Sequence, residues 1–378
     1  MALLKPFRAL RYDPGTAGPL DGLVAPPYDV VSPEQRALLL AASPYNAVRL
    51  IRPEQPKDAV EALDAWRQAG VLVRQERPAV WLLEDVFEGP DGVARARRAI
   101  VARVRLEPYS AGVVLPHERT FPASREARLR LLLAVRTKLS PIFMIHDGPS
   151  PEIDRERPPD LEATLAGVTS RLWHVDDASE IAAVLGAVGA PLLIADGHHR
   201  YEAALRFHEE VGGEETAYVL AALVSKSDGG LVIFSTHRMI EGFVPDVGGR
   251  YSVTSLDGGA VEAVERLARV PRDRPAFVLL RREGAVLAEG RAAGAGVLDG
   301  LDTVAVDQLA LDDVTFTASA AEAERAVSSG AATAAFLVRA PTVEQVEAVA
   351  LAGETMPQKS TYFFPKLTSG LLFAPFDE

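Results

Sequence analysis

Asp196, Gly197, His198, His199 and Arg200 stand in a row between an apolar run over 191–195 and a stretch over 201–205 whose apolar residues return with helical spacing. That order reads as strand, polar turn, helix. The first N–H groups of a helix lack internal partners and its dipole is positive there, so the junction draws anions before any side chain acts. Arg200 can grip two oxygens of a phosphate, while His198 and His199 can donate hydrogen bonds or pass a proton near neutral pH. Gly197 lets the main chain approach a ligand closely, and Asp196 can hold Mg²⁺ or orient a histidine. A phosphate site is the expectation; the plainer alternative is an Asp-Gly turn whose Arg200 pairs with Glu202 or another nearby carboxylate.

Other chemistry-bearing residues are scattered. Lys359, Ser360, Thr361 and Lys366 either close over a nucleotide, with lysines as point charges on phosphate, or belong to a tail docked through Tyr362, Phe363 and Phe364. Asp29, in a Pro-Pro-Tyr-Asp turn, and Arg49, in a strand-like run after Asn46, are candidate substrate-binding groups, as is His237 beside Arg238. Asp29 and Arg49 read equally well as residues that satisfy a turn or a core, and a lone histidine at a strand end, as His237 is, is more often a hydrogen-bonded structural residue. His198 and His199 are adjacent rather than spaced to meet one ion, so magnesium carried by a nucleotide is favoured over a resident transition metal.

These residues need a scaffold, and composition bounds it. The 378 residues, 48% hydrophobic, exceed one comfortable core and point to two or three domains. A net charge of −12 without a basic block argues against duplex nucleic acid or an anionic membrane as the main partner. The absence of cysteine excludes disulfides, thiolate catalysis and Cys-ligated metal sites. Residues 1–10 carry Lys5 and Arg8 but no apolar core of signal-peptide length, and no window reads as a membrane span, so the expectation is a cytoplasmic protein. A homo-oligomer is left open.

Along the chain, Ser32, Pro33 and Gln35 announce a capped helix over 34–42, and 59–69 reads as a second. Strands over 79–87 and 95–106 flank Gly89-Pro90-Asp91-Gly92 as a hairpin. A helix with a solvated arginine face is expected over 124–138, then a strand over 141–145, a proline-rich loop over 147–159, a strand over 171–175 and a helix over 179–188. Strands over 217–225 and 231–235 read as a pair across Ser227 to Gly230. Strands over 276–281 and 334–338 with helices over 320–327 and 343–351 suggest a smaller α/β domain. The expected divisions are 1–110, an amino-terminal segment packed on the core, 111–243, the core, and 244–378.

The segments 24–31, 46–50, 117–120, 195–205, 236–238 and 356–367 together resemble the family catalogued as domain of unknown function 1015, nearly from end to end. Within it, 115–205 is similar to the ParB/sulfiredoxin superfamily and most of all to free serine kinases: a His-Glu pair, a helix, a Pro-Ile strand and an Asp-Gly-His-His-Arg turn in the same order. The resemblance implies an α/β (α+β) fold with a ParB/sulfiredoxin-like mixed-sheet core, an amino-terminal extension and a smaller carboxy-terminal domain. It implies Glu118, beside His117, as general base on a substrate hydroxyl, with ATP, ADP or CTP and Mg²⁺ at the 196–200 turn. Phosphoryl transfer needs such positioning, charge neutralisation and a proton acceptor. Without cysteine a sulfinic acid reductase is excluded, and the acidic charge speaks against a partition-protein mode of DNA binding. The leading expectation is a nucleotide-dependent phosphotransferase acting on a small hydroxylated metabolite, with serine the first choice. A nucleotide-hydrolysing switch and a non-catalytic phosphate-ligand binder remain as alternatives.

Overall fold

The computed structural model describes residues 2–292 and 294–376 and divides into two compact units. The first comprises Met1–Pro116, Thr120–Leu231 and Pro365–Glu378, the second His117–Arg119 and Val232–Phe364.

The first unit opens with β1 (Leu4–Lys5), β2 (Leu10–Tyr12) and the short α1 (Pro14–Ala17). Helix α2 (Pro33–Ala42) begins where Ser32 and Gln35 cap each other, the side chain of each meeting the main-chain N–H of the other. Next come α3 (Val48–Ile51), α4 (Pro56–Gln68), β3 (Leu72–Arg74) and the long hairpin β4 (Val80–Glu88) and β5 (Ala94–Arg105). The sequence suggested a strand at 46–50. Asn46 overrides that pattern: its amide donates to the carbonyls of Gly22 and Val24, and its oxygen accepts from the N–H of Val48, which starts a helical turn instead.

Beyond β6 (Val114–Leu115) lies α5 (Pro122–Val135), three residues shorter at its end than the expected 124–138 helix. Arg136 takes a left-handed conformation (φ 47°) and closes the helix with its N–H on Leu132. The following Thr137–Lys138 becomes β7, paired with β21 (Ala374–Pro375) near the end of the chain. Nor is the arginine face wholly solvated: Arg128 lies over the Tyr28 ring at 3.9 Å and donates to the Ile51 carbonyl.

The unit continues through β8 (Ile142–His146), β9 (Leu161–Leu165), β10 (Val168–Val175), α6 (Ala178–Gly186), β11 (Leu192–Asp196), α7 (His198–Val211) and β12 (Tyr218–Ser225). The main sheet runs β6-β11-β8-β12-β5-β4-β10-β9, with β1 on β5. It is mixed: β6 and β11, and β8 and β12, are parallel pairs, and the other pairs are antiparallel. Ile100, Ala102, Val104, Met144, Ile194, Ala221 and Leu223 form one apolar layer, which α7 meets through Tyr201 and Ala204. Strand β9 was not foreseen, because Leu161-Glu162-Ala163-Thr164-Leu165 is too short and polar to stand out; it exists by pairing with β10.

The second unit holds β13 (Val232–Phe234), β14 (His237–Ile240), β15 (Ser252–Leu256), α8 (Ala260–Ala268), β16 (Ala276–Arg281), β17 (Gly284–Glu289), α9 (Asp302–Asp307), β18 (Val314–Thr317), α10 (Ala320–Ser329), β19 (Ala334–Val338), α11 (Val343–Leu351) and β20 (Tyr362–Phe364). Its antiparallel sheet runs β15-β17-β16-β19-β14-β18. Along β16, Val278 and Leu280 join the layer of α8 and α10 while Phe277 and Leu279 join that of α9, so the strand is apolar on both faces. The hairpin expected across Ser227 to Gly230 is not formed. Strand β12 is taken by β5 and β8, and β13 pairs with β20. Asp228 holds the intervening turn through the Gly230 N–H and the Ser150 hydroxyl. Among the described residues no helix is long and apolar enough to cross a membrane.

Candidate functional site

The polar row follows β11 and opens α7. Within β11 the register against β8 slips: Ile194 pairs with Met144, yet Asp196 pairs with Phe143, leaving Ala195 as the extra residue of a bulge. The slip puts Asp196 on the face of Phe143 rather than on the apolar layer of Ile194 and Met144, as bulges beside functional sites often re-aim a side chain.

Asp196 there receives two cations. Lys366 donates to one carboxylate oxygen, and Arg200 Nη2 donates to the other at 2.8 Å. Burial alone would push the carboxyl up; Lys366 first and then Arg200 hold it well below the usual carboxylate range. Lys366 is positioned by its neighbour, since the Pro365 carbonyl accepts from Arg97 Nη1 at 2.7 Å and Arg97 is itself paired with Asp85 at 2.8 Å.

Arg200 is fully engaged at its fork. Nη1 donates to Ser140 Oγ at 2.9 Å and to the Pro141 carbonyl at 2.5 Å, so the plainer reading of a local ion pair does describe this residue, with Asp196 rather than Glu202 as its partner. Glu202 takes Thr120 Oγ1 and Arg125 instead. Gly197 has φ 102°, and a Cβ there would meet Arg200 Nη2 at 2.9 Å. Gly197→Ala is expected to destabilise the chain by about 1–3 kcal/mol through backbone strain and the displaced guanidinium, as chemical denaturation would read; a change within 0.5 kcal/mol would contradict this packing.

His199 Nε2 accepts the Phe121 N–H at 2.9 Å, and the two rings stack with centroids 6.0 Å apart. Burial lowers its pKa, with Glu202 and Asp29 opposing, so the ring is neutral near pH 7 with its proton on Nδ1. His198 is buried and close enough to Asp196 to lower its carboxyl further. Asp29 is exposed in its turn. Arg49 lies on α3, where Nη2 holds the Leu40 carbonyl at 3.1 Å.

The turn therefore sets one carboxylate against two cations, a surplus of one positive charge. It adds the start of a 14-residue helix with no side-chain cap. That combination suits an anion. Both oxygens of Asp196 are already accepting, and among the described residues no group of three His, Cys, Asp or Glu side chains can hold a metal ion. The donor set does not fit a resident Mg²⁺ at Asp196.

In the second unit, His117 Nε2 meets Thr361 Oγ1 at 3.0 Å and the His117 carbonyl accepts the Met356 N–H at 2.9 Å. Glu118 is half-buried and makes a parallel bridge with Met356. Ser360 is buried, its hydroxyl on the Pro357 carbonyl at 2.7 Å, while Lys359 is exposed with φ 56°. His237 is buried on β14, accepting the Val338 N–H at 3.2 Å; burial, aided by Arg238, pushes it down to about 4. Thr361, Ser360 and His237 thus each hold a contact within this unit.

Sequence reasoning passed over Ser140, Tyr28, Arg128 and Lys138. One signal was available: Arg128 shares the spacing of Leu131, Leu132 and Val135, which places it on a single face of α5.

A mixed α/β unit with a strand, turn and helix assembled around Asp196, Arg200 and Lys366 is the class of structure that these residues define. A family model described as protein of unknown function, DUF1015, matches residues 4–303, and the chain belongs to that family. No curated protein matches it. Among solved structures it is distantly similar to a free serine kinase in complex with ADP, at 16% identity and TM-score 0.40 over 70% of this chain and 86% of the other. Similar in degree are a conserved hypothetical protein from Pyrococcus furiosus (17%, TM-score 0.37, 72% and 95%) and SbnI with a C-terminal truncation from Staphylococcus aureus (13%, TM-score 0.38, 72% and 87%).

Proposed function

We propose that the 196–200 turn and Lys366 bind the phosphates of a nucleotide, and that the chain transfers phosphate to a small hydroxylated metabolite, serine being the first to test. The observation that carries the phosphate site is the convergence of Arg200 and Lys366 on Asp196 at the uncapped start of α7. A phosphate arriving there meets helix N–H groups and a net positive charge that is already assembled, so little reorganisation is needed on binding. In this reading Asp196 is a positioning residue that holds Arg200 and Lys366, and Gly197 leaves room for the Arg200 guanidinium to lie against the main chain. Glu118 is the proton acceptor that the resemblance to free serine kinases assigns, and His117 is fixed beside it by Thr361. Lys359, the exposed cation of the 359–361 segment, is the candidate to contact a nucleotide there, and Asp29 is the candidate to contact substrate.

Phosphorus NMR of the protein with ATP and Mg²⁺, with and without serine and related hydroxyl metabolites, tests the reading. A phosphomonoester resonance that requires the metabolite is the expected result. Glu118→Gln should slow its appearance about 10²-fold while nucleotide affinity stays within twofold. Phosphate release that ignores the metabolite would replace transfer by hydrolysis, and no turnover with intact binding would leave a nucleotide-binding protein. Lys366→Met should weaken ADP binding by about 1.5–3 kcal/mol, the scale of a charged hydrogen bond; unchanged affinity in a calorimetric titration would move the phosphate elsewhere.

A further inference from the structure

A second feature of the first unit shares only Arg200 with that reading. A cavity of about 70 Å³ lies among α5, the 137–142 segment and α7, with walls mostly of leucine, isoleucine, valine and alanine side chains. Three basic residues also line it: Arg128, Lys138 and Arg200. In each a buried nitrogen lacks a hydrogen-bond partner, namely Arg128 Nε, Lys138 Nζ and Arg200 Nε. No aspartate or glutamate is among the described residues of the wall.

Buried donors are almost always satisfied, and an unpaired buried cation is costly. Aromatic faces offset part of the cost. Lys138 Nζ lies 4.8 Å from the Phe376 centroid and Arg128 3.9 Å from that of Tyr28, yet a ring face fills no hydrogen bond to these nitrogens. Three basic residues with orphan donors around one apolar cavity, and no carboxylate among the described residues of its wall, are the complement of an anionic head on an apolar body.

We propose that this cavity binds a small organic carboxylate, its anionic oxygens taking the donors of Lys138 and Arg128 and its short hydrocarbon part filling the apolar remainder. Free phosphate has no apolar portion to bury, and a nucleobase carries no charge to answer the lysine. Arg200 lines this cavity and also belongs to the nucleotide reading, so the two sites are told apart by Lys138 and Arg128, which that reading does not use.

Ligand-observed NMR and calorimetry with butyrate and 2-oxobutyrate, in nucleotide-free protein, test it. Saturable one-to-one binding is expected, weakened at least tenfold in both Lys138→Met and Arg128→Gln and undisturbed by equimolar ADP or inorganic phosphate. Absence of saturable binding, wild-type affinity in either variant, or displacement by phosphate would overturn the proposal. Displacement by ADP would also overturn it, by making the cavity a part of the nucleotide site. A chain that binds carboxylate but no nucleotide would retain this proposal and reject the phosphotransferase.

Discussion

Lys138→Met is expected to stabilise the protein near pH 7, by on the order of 2–4 kcal/mol, and the gain should shrink as the pH rises. Burial, with Arg103 adding repulsion, pushes the Lys138 amine down to about 7. The unfolded value is about 10.4. Between those two values the unfolded chain binds more protons than the folded one, so wild-type stability rises with pH across that interval. Methionine does not titrate and fills a similar volume. Its advantage is therefore largest at or below pH 7 and fades toward pH 10. Urea melts at pH 7 and pH 9.5 read the effect directly. A variant that is less stable at pH 7, or whose difference from wild type does not depend on pH, would mean that the amine is not desolvated as described. An amine retained at such a cost to stability is in keeping with a binding role for its cavity.

Asp302→Ala should cost about 3–5 kcal/mol, the range for stripping one partner from a buried ion pair. Asp302 accepts four hydrogen bonds in the second unit: from the N–H groups of Ala276 and Arg339 at 2.9 Å each, from Arg339 Nε at 2.8 Å and from Nη2 at 2.6 Å. Both side chains are less than a tenth exposed. Arg339 also donates to the carbonyls of Val270 and Arg274 and so ties the loop before β16 to the end of β19. Alanine would leave the guanidinium facing carbonyls alone. Hydrogen exchange should show β16 and β19 losing protection, Asp302→Asn should be milder because its amide oxygen still accepts, and Asp302→Ala with Arg339→Met should recover part of the loss. Equal protection in wild type and Asp302→Ala would remove the pair from the stability of this sheet.

Legibility in the sequence followed the range of the forces involved. The α2 cap, the β4–β5 hairpin and the β11–α7 junction were readable because Ser32 and Gln35, the Gly89–Gly92 turn and Gly197 act on their immediate neighbours. The end of α5 was not, since only pairing with Ala374 and Pro375, more than 230 residues onward, draws Thr137 and Lys138 out of the helical pattern. The same distance hid the partner of Asp196. An Asp-Gly-His-His-Arg row announces an anion site, but nothing local says that Lys366 sits on its carboxylate. Arg49 and His237 were candidates for chemistry too, and what sets them apart is three-dimensional: Arg49 spends a nitrogen on the Leu40 carbonyl and His237 one on the Val338 N–H.

Lys366 carries one more consequence, which concerns the order in which the molecule is made. Asp196 and Arg200 leave the ribosome together, and alone their charges cancel. The cation that tips the sum positive arrives only after the 133 residues from Val232 to Phe364 have been synthesised. A nascent or interrupted chain that stops within that interval carries the α7 turn in an electrically balanced form. On the proposed reading, affinity for phosphate at this turn is thereby deferred until translation has passed Lys366.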